Sequence, residues 1–248
     1  MRGLGKLTWT QAKLYLRDPF AFFFTLVFPP LLLIVFGVIF GNQPLTQWGL
    51  DLGYIDIQVP ALAAIIIGSV ALIGIPIAIS TERELGVLRR YRATPLRPLT
   101  FMAAQVAVNF LMCLFGMLLL VALGVVVYGL RFRGSAPEVL GAFTLSALAF
   151  FAVGYLVASL APSARVAQTV GMVLFFPLMF LSGAAMPRQI MPERVQAFAD
   201  WLPLTQVVRF LQALWAGESF SSHGAELLWL AGMLLVGTVA SARLFRWE

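Results

Sequence analysis

The groups able to do polar chemistry in this chain are concentrated in one stretch, TERELGVLRRYRATPLRP, residues 81–98. It holds Glu82, Glu84 and five of the chain's fifteen arginines, Arg83, Arg89, Arg90, Arg92 and Arg97. Residues 59–80 before it and 100–130 after it carry no charge. Thr81-x-x-Glu84 has the spacing of a capping box, which predicts a helix starting at Glu82 with its acids at the positive end of the helix dipole. Arg89, Arg90 and Arg92 load the far end, where cations are favoured, and Ala93-Thr94-Pro95 stops the helix. A rigid helix with charges sorted this way does recognition. Binding to anionic headgroups would account for the arginines but not for the two acids. A docking surface for a partner uses both signs.

Catalysis finds no support elsewhere. His223 is the one histidine and Cys113 the one cysteine, and Cys113 reads as a small buried apolar residue. There is no HExxH, no GxSxG and no GxxxxGK[ST] phosphate loop. No catalytic, cofactor-binding or metal-binding residue is assigned. If ATP is used with this chain, another chain binds it.

The elements that must position the stretch follow from composition. The 248 residues are 60% hydrophobic and 11% charged, with a mean hydropathy of +0.91, against about 25% charged for a soluble domain. The expected solvent is lipid. The fold expected is an all-α integral membrane protein, with spans near 20–40, 59–80, 100–130, 139–160, 168–186 and 227–242. Continuous apolar runs fit helices of about 20 residues better than the alternating strands of a barrel. With the N-terminus inside, twelve of the 17 Lys and Arg fall on the inner side and five on the outer. This places both termini, and residues 81–98, in the cytoplasm. The net charge of +6 is thereby explained without nucleic acid.

Residues 3–17 read as an amphipathic helix on the inner membrane surface, with Arg2, Lys6, Lys13 and Arg17 in one sector and Leu4, Leu7, Leu14 and Tyr15 opposite. No cleavable signal peptide is read. Pro29-Pro30 predicts a bend in the first span. Residues 41–58 form an outer loop with no evident chemistry. Residues 187–225 are too apolar for a plain loop. Val195, Phe198 and Leu202 share one helical face, Val207, Val208, Leu211, Leu214 and Trp215 another, and Pro203 separates them. Two short helices dipping in from outside are expected. Span interiors hold no Asp, Glu, Lys, Arg or His, which argues against an ion-driven carrier. Asn109 is the polar span residue to examine for a pathway, with helix-to-helix bonding as its plainer role. No repeat or second domain is visible, so 1–248 reads as one membrane domain.

The stretch 82–98 resembles the signature of the membrane subunits of type-2 ABC transporters. The resemblance extends to the amphipathic helix, the six spans and an outer re-entrant hairpin before the last span. Leu181-Ser182-Gly183 leads into that hairpin, and Pro203-Leu204-Thr205 lies within it. The resemblance implies a coupling region comprising Glu82, Glu84, Gly86, Arg89, Arg90, Thr94 and Pro95, next to Arg92, with Arg165 in the second inner loop as a smaller contact. It implies a second permease, either a copy or a relative, and a separate ATPase subunit carrying ATP and magnesium. The function expected is export of an amphiphilic or hydrophobic substrate, drug or lipid, through a bacterial inner (plasma) membrane. Polysaccharide or glycolipid export is the alternative within the family. An ATP-independent channel, a secondary carrier, or a membrane anchor recruiting a cytosolic protein are the alternatives outside it.

Overall fold

The computed structural model describes residues 2–43, 52–87, 98–186, 188 and 191–244. All of its regular elements are helices among the described residues. After α1 (Arg2–Arg17) come α2 (Pro19–Phe40), α3 (Tyr54–Glu84), α4 (Pro98–Tyr128), α5 (Ala136–Leu160) and α6 (Ala164–Leu181). Two shorter helices follow, α7 (Glu193–Ala199) and α8 (Pro203–Ala216), and then α9 (Gly224–Leu244). Six of these, α2 to α6 and α9, are long and apolar enough to cross a membrane. The expected all-α membrane architecture and the count of six spans hold.

α3 is the centre of the bundle. In its most apolar window 83% of residues are buried within the protein, against 61% for α5 and between 17% and 28% for the other four spans. The outward apolar faces of those four are left for lipid, as the composition requires. At 31 residues α3 is roughly 46 Å long, longer than the roughly 30 Å hydrocarbon core. Its polar ends, Asp56 and Gln58 at one and Glu82 to Glu84 at the other, extend a span expected only over 59–80.

One expectation is corrected here. No helix starts at Glu82, and Thr81-x-x-Glu84 is not a capping box. Residues 75–80 are already helical, so Thr81 lies within a continuing helix and its carbonyl accepts from Leu85 N–H at 3.0 Å. The helix ends there because Gly86 turns into the left-handed region, φ +66°, which a side chain would resist.

Proline shapes two spans. In α2, residues Phe23–Val27 form a π-turn before Pro29 and Pro30, with Phe28 N–H bonded to Phe23 O. In α3, Val70–Gly74 form another before Pro76, with Ile75 N–H bonded to Val70 O. A proline has no N–H for the carbonyl four residues back. Thr25 O and Leu72 O therefore lose their ordinary donors, and the shift of Ile75 removes that of Ala71 O. Each of these carbonyls faces a glycine on a neighbouring span. A Cβ built on Gly116 would lie 3.0 Å from Thr25 O, one on Gly154 2.1 Å from Ala71 O, and one on Gly171 2.2 Å from Leu72 O. Glycine lets the neighbouring backbone close over a carbonyl that lipid cannot hydrate.

Candidate functional site

At the Glu84 end of α3, three consecutive charged residues reach four other helices. Successive side chains on a helix point about 100° apart, so one turn can address several neighbours. Glu82 accepts from Gln11 Nε2 of α1 at 3.2 Å and from Gln105 Nε2 of α4 at 3.0 Å. The Arg83 guanidinium donates to Ala158 O at 3.4 Å and to Ala161 O, at the C-terminal end of α5. A cation there meets the carbonyls that end the helix and the negative end of its dipole. The Glu84 carboxylate accepts from Ala164 N at 2.9 Å, capping the first turn of α6 from outside, while Ser163 Oγ accepts from Val166 N at 3.2 Å. Two unsatisfied donors of the α6 N-terminus are thereby met.

The two acids read as partner-facing are thus bonded within their own chain. Glu82 is half-buried, and Glu84 stays exposed. Gly86 forms the turn that follows, and Arg165 is exposed one residue beyond the Glu84–Ala164 bond. Arg89, Arg90, Arg92, Thr94 and Pro95 lie outside the described residues. Asn109 Nδ2 bonds Gln105 O one turn back at 2.9 Å and borders a pocket between α1, α3 and α4. Tyr15 closes that pocket from α1, its hydroxyl 2.7 Å from Thr25 Oγ1. Burial pushes the Tyr15 phenol above its ordinary pKa. α1 packs along α4, which adds Gln11 to the site.

The opposite end of the bundle holds groups that sequence reasoning passed over. Asp56 is fully buried, yet three donors meet it: Asn42 Nδ2 at 2.9 Å, Gly53 N at 2.9 Å and Arg131 N at 2.8 Å. Its place three residues after Gly53 was the available signal, since an acid at that helix position reaches back to the free N–H groups. Gln58 Nε2 bonds Ala184 O, and Gln212 Nε2 bonds Ile57 O at 3.1 Å. Together they fasten the residues around α8 to α3.

α8 is packed into the bundle with Leu204, Thr205, Val207, Val208, Leu211, Leu214 and Trp215 buried. Pro203 opens it, in the first turn where a missing N–H costs nothing. Ser182 is buried and bonds Met179 O at 3.2 Å, and Gly183 turns the chain at φ +88°. α7 differs from α8, with Phe198 62% and Trp201 just beyond it 77% exposed. Asp200 joins the two helices. It pairs with Arg188 and, at 2.6 Å, with Arg209. Its slight burial works against ionisation, but the hydrogen bonds and charges of Arg188 and Arg209 prevail and hold the carboxyl below its usual pKa. Such a group adds stability that is present above its unfolded pKa, about 4, and lost as pH falls through the lower folded one. Because Asp200 is more than a third exposed, the effect is small. Asp200→Asn is expected to flatten a shallow acid loss in melting temperature, read by tryptophan fluorescence between pH 6 and pH 3.

The fold and this arrangement define a polytopic helical membrane protein with a polar hub at one end of its central span. The sequence profile of the ABC-2 type transporter family matches residues 3–214, and the chain belongs to that family as a transmembrane permease chain. It is 28% identical over 153 residues to the inner membrane transport permease YhhJ of Escherichia coli (strain K12), covering 61% of this chain and 40% of that one. It is 26% identical over 173 residues to the daunorubicin resistance ABC transporter permease protein DrrB1 of Streptomyces coeruleorubidus, covering 68% of this chain and 61% of that one. The chain thus spans less than two thirds of the length of either relative.

Proposed function

We propose that this chain is the membrane subunit of an ATP-driven exporter. It pairs with a second copy or a related permease, and a separate ATPase subunit supplies ATP hydrolysis with magnesium. The observation that carries the reading is the fan of Glu82, Arg83 and Glu84. A force applied to residues 81–98 is delivered at once to α1, α4, α5 and α6, which is what a coupling element requires. In this reading Glu82 and Glu84 transmit the force inside the permease. Arg89, Arg90 and Arg92 meet the ATPase, Thr94 and Pro95 shape that surface, and Arg165 adds a contact. Both termini lie in the cytoplasm, in keeping with the charge asymmetry. Residues 187–225 form the outer re-entrant segment, α8 seated in the bundle and α7 with Trp201 at its rim.

The substrate is amphiphilic or hydrophobic, in keeping with span linings of Leu, Phe, Ala and Gly and with the resistance named for one relative. The test is co-purification. The tagged chain, expressed with its chromosomal neighbours and extracted in mild detergent, is expected to bring down a stoichiometric ATPase. The double variant Arg89→Glu, Arg90→Glu is expected to lose it while staying monodisperse. These arginines test docking more cleanly than Glu82, whose substitution also breaks bonds to Gln11 and Gln105. An ATPase retained by the arginine variant would refute the docking assignment. No ATPase with the parent chain would favour the channel, carrier or anchor readings.

A further inference from the structure

The pocket between α1, α3 and α4 has a volume of about 340 Å³, within the range of small-molecule sites, about 300–1,000 Å³. Ile77, Ala78 and Val108 give it an apolar wall, and Glu82 and Asp18 supply charge. The described residues lining it include these two carboxylates and no Lys, Arg or His. Asp18 Oδ1 is occupied, capping α2 through Phe20 N at 2.9 Å and Ala21 N at 3.1 Å. Glu82 is held differently. Each of its oxygens takes one neutral amide, Gln11 on Oε1 and Gln105 on Oε2. A carboxylate oxygen has two acceptor positions, so among the described residues each keeps one more. The amides fix the group without neutralising it.

Two basic side chains on the helices that form the pocket are engaged elsewhere. Arg83, next in sequence, points to the α5 carbonyls, and Lys13 of α1 lies over the Trp9 ring at 5.2 Å from its centre. A half-buried carboxylate with no cation beside it among the described residues is costly, and a cation arriving beside it relieves that cost.

We propose that this pocket binds a lipophilic monocation, an amine carrying one positive charge and an apolar body. Its ammonium sits on Glu82 and its body lies along Ile77, Ala78 and Val108. An anionic amphiphile meets two carboxylates here and is rejected, and an uncharged one leaves Glu82 as it was. The assignment gives the transport reading above a substrate class. It is tested on the permease without ATP or partner, so its failure leaves the coupling reading standing, and failure of coupling leaves the pocket standing.

The probe is tritiated propranolol, a naphthyl amine charged at pH 7. Binding is measured by scintillation proximity on the purified chain in phosphatidylcholine nanodiscs, with empty nanodiscs as blank. Saturable binding is expected, uncompeted by uncharged 1-naphthol. Glu82→Gln is expected to weaken it about tenfold or more, and Glu193→Gln, on exposed α7, to leave it unchanged. Ala78→Phe fills the pocket and leaves Glu82 in place. It is expected to abolish binding too, and it decides the matter if Glu82→Gln is not monodisperse. Binding no greater than to empty nanodiscs, binding kept by a monodisperse Glu82→Gln, or binding kept by Ala78→Phe would each overturn the proposal.

Discussion

Asp56→Ala is expected to destabilise the protein by about 3–5 kcal/mol and to lower its melting temperature in detergent by about 6–20 °C. The side chain has no exposure and collects three donors from three segments. Alanine leaves Asn42 Nδ2, Gly53 N and Arg131 N short of an acceptor, each at a cost of about 1–3 kcal/mol. Asn42 depends on the same arrangement. Its Oδ1 accepts from Ile55 N at 3.1 Å, and its Nδ2 also reaches Tyr128 O at 3.2 Å. The pair thus ties the end of α2, the start of α3 and the end of α4. Asp56→Asn is expected to be milder, about 1–2 kcal/mol. Its oxygen can keep Asn42 and Arg131, and its amide then faces only the Gly53 donor. Thermal melts of the three proteins by fluorescence-detected size exclusion give the ranking. An alanine variant melting with the wild type would show that water, not Asp56, satisfies these groups.

The spans were legible because lipid imposes one simple rule, a run of apolar residues long enough to cross. Their order and number hold. What hydropathy cannot report is which span is central. α3 and α4 look alike in sequence, yet α3 is enclosed and α4 is largely outward. The difference lies in which neighbours carry glycine at matching heights, a property of pairs of helices. At the Glu84 end, the spacing Thr81-x-x-Glu84 suggests a helix start because spacing does not tell that the helix is already running. Glu84 caps α6, eighty residues away in sequence, and no local pattern announces such a partner. The loop 41–58 shows no evident chemistry in sequence, since an acid near a span end has an ordinary surface reading. Burial of Asp56 is decided by Asn42 and by the backbone of Arg131.

The other large effect is expected at Gly154 and Gly171. A Cβ at either position would lie 2.1 or 2.2 Å from a backbone carbonyl oxygen of α3, and a backbone atom cannot swing aside as a side-chain tip can. Gly154→Ala and Gly171→Ala are each expected to cost about 3 kcal/mol or more, lowering the melting temperature by about 6–12 °C. Leucine at either site is expected to leave no monodisperse protein. Gly232 on α9 has nothing within 4 Å of a built Cβ. Gly232→Ala is therefore expected to be neutral or slightly stabilising, as alanine is the better helix former by about 1 kcal/mol. The position of the sensitive pair matters for which helices can separate. Ala71 O and Leu72 O have lost their ordinary helical donors to the π-turn and Pro76, so drawing α5 or α6 away would bare them to lipid. The centre of α3 is therefore expected to stay packed on α5 and α6. Alanine variants that fold, melt and transport like the wild type would mean that this close contact is not kept in the membrane and that α3 parts from α5 and α6 freely.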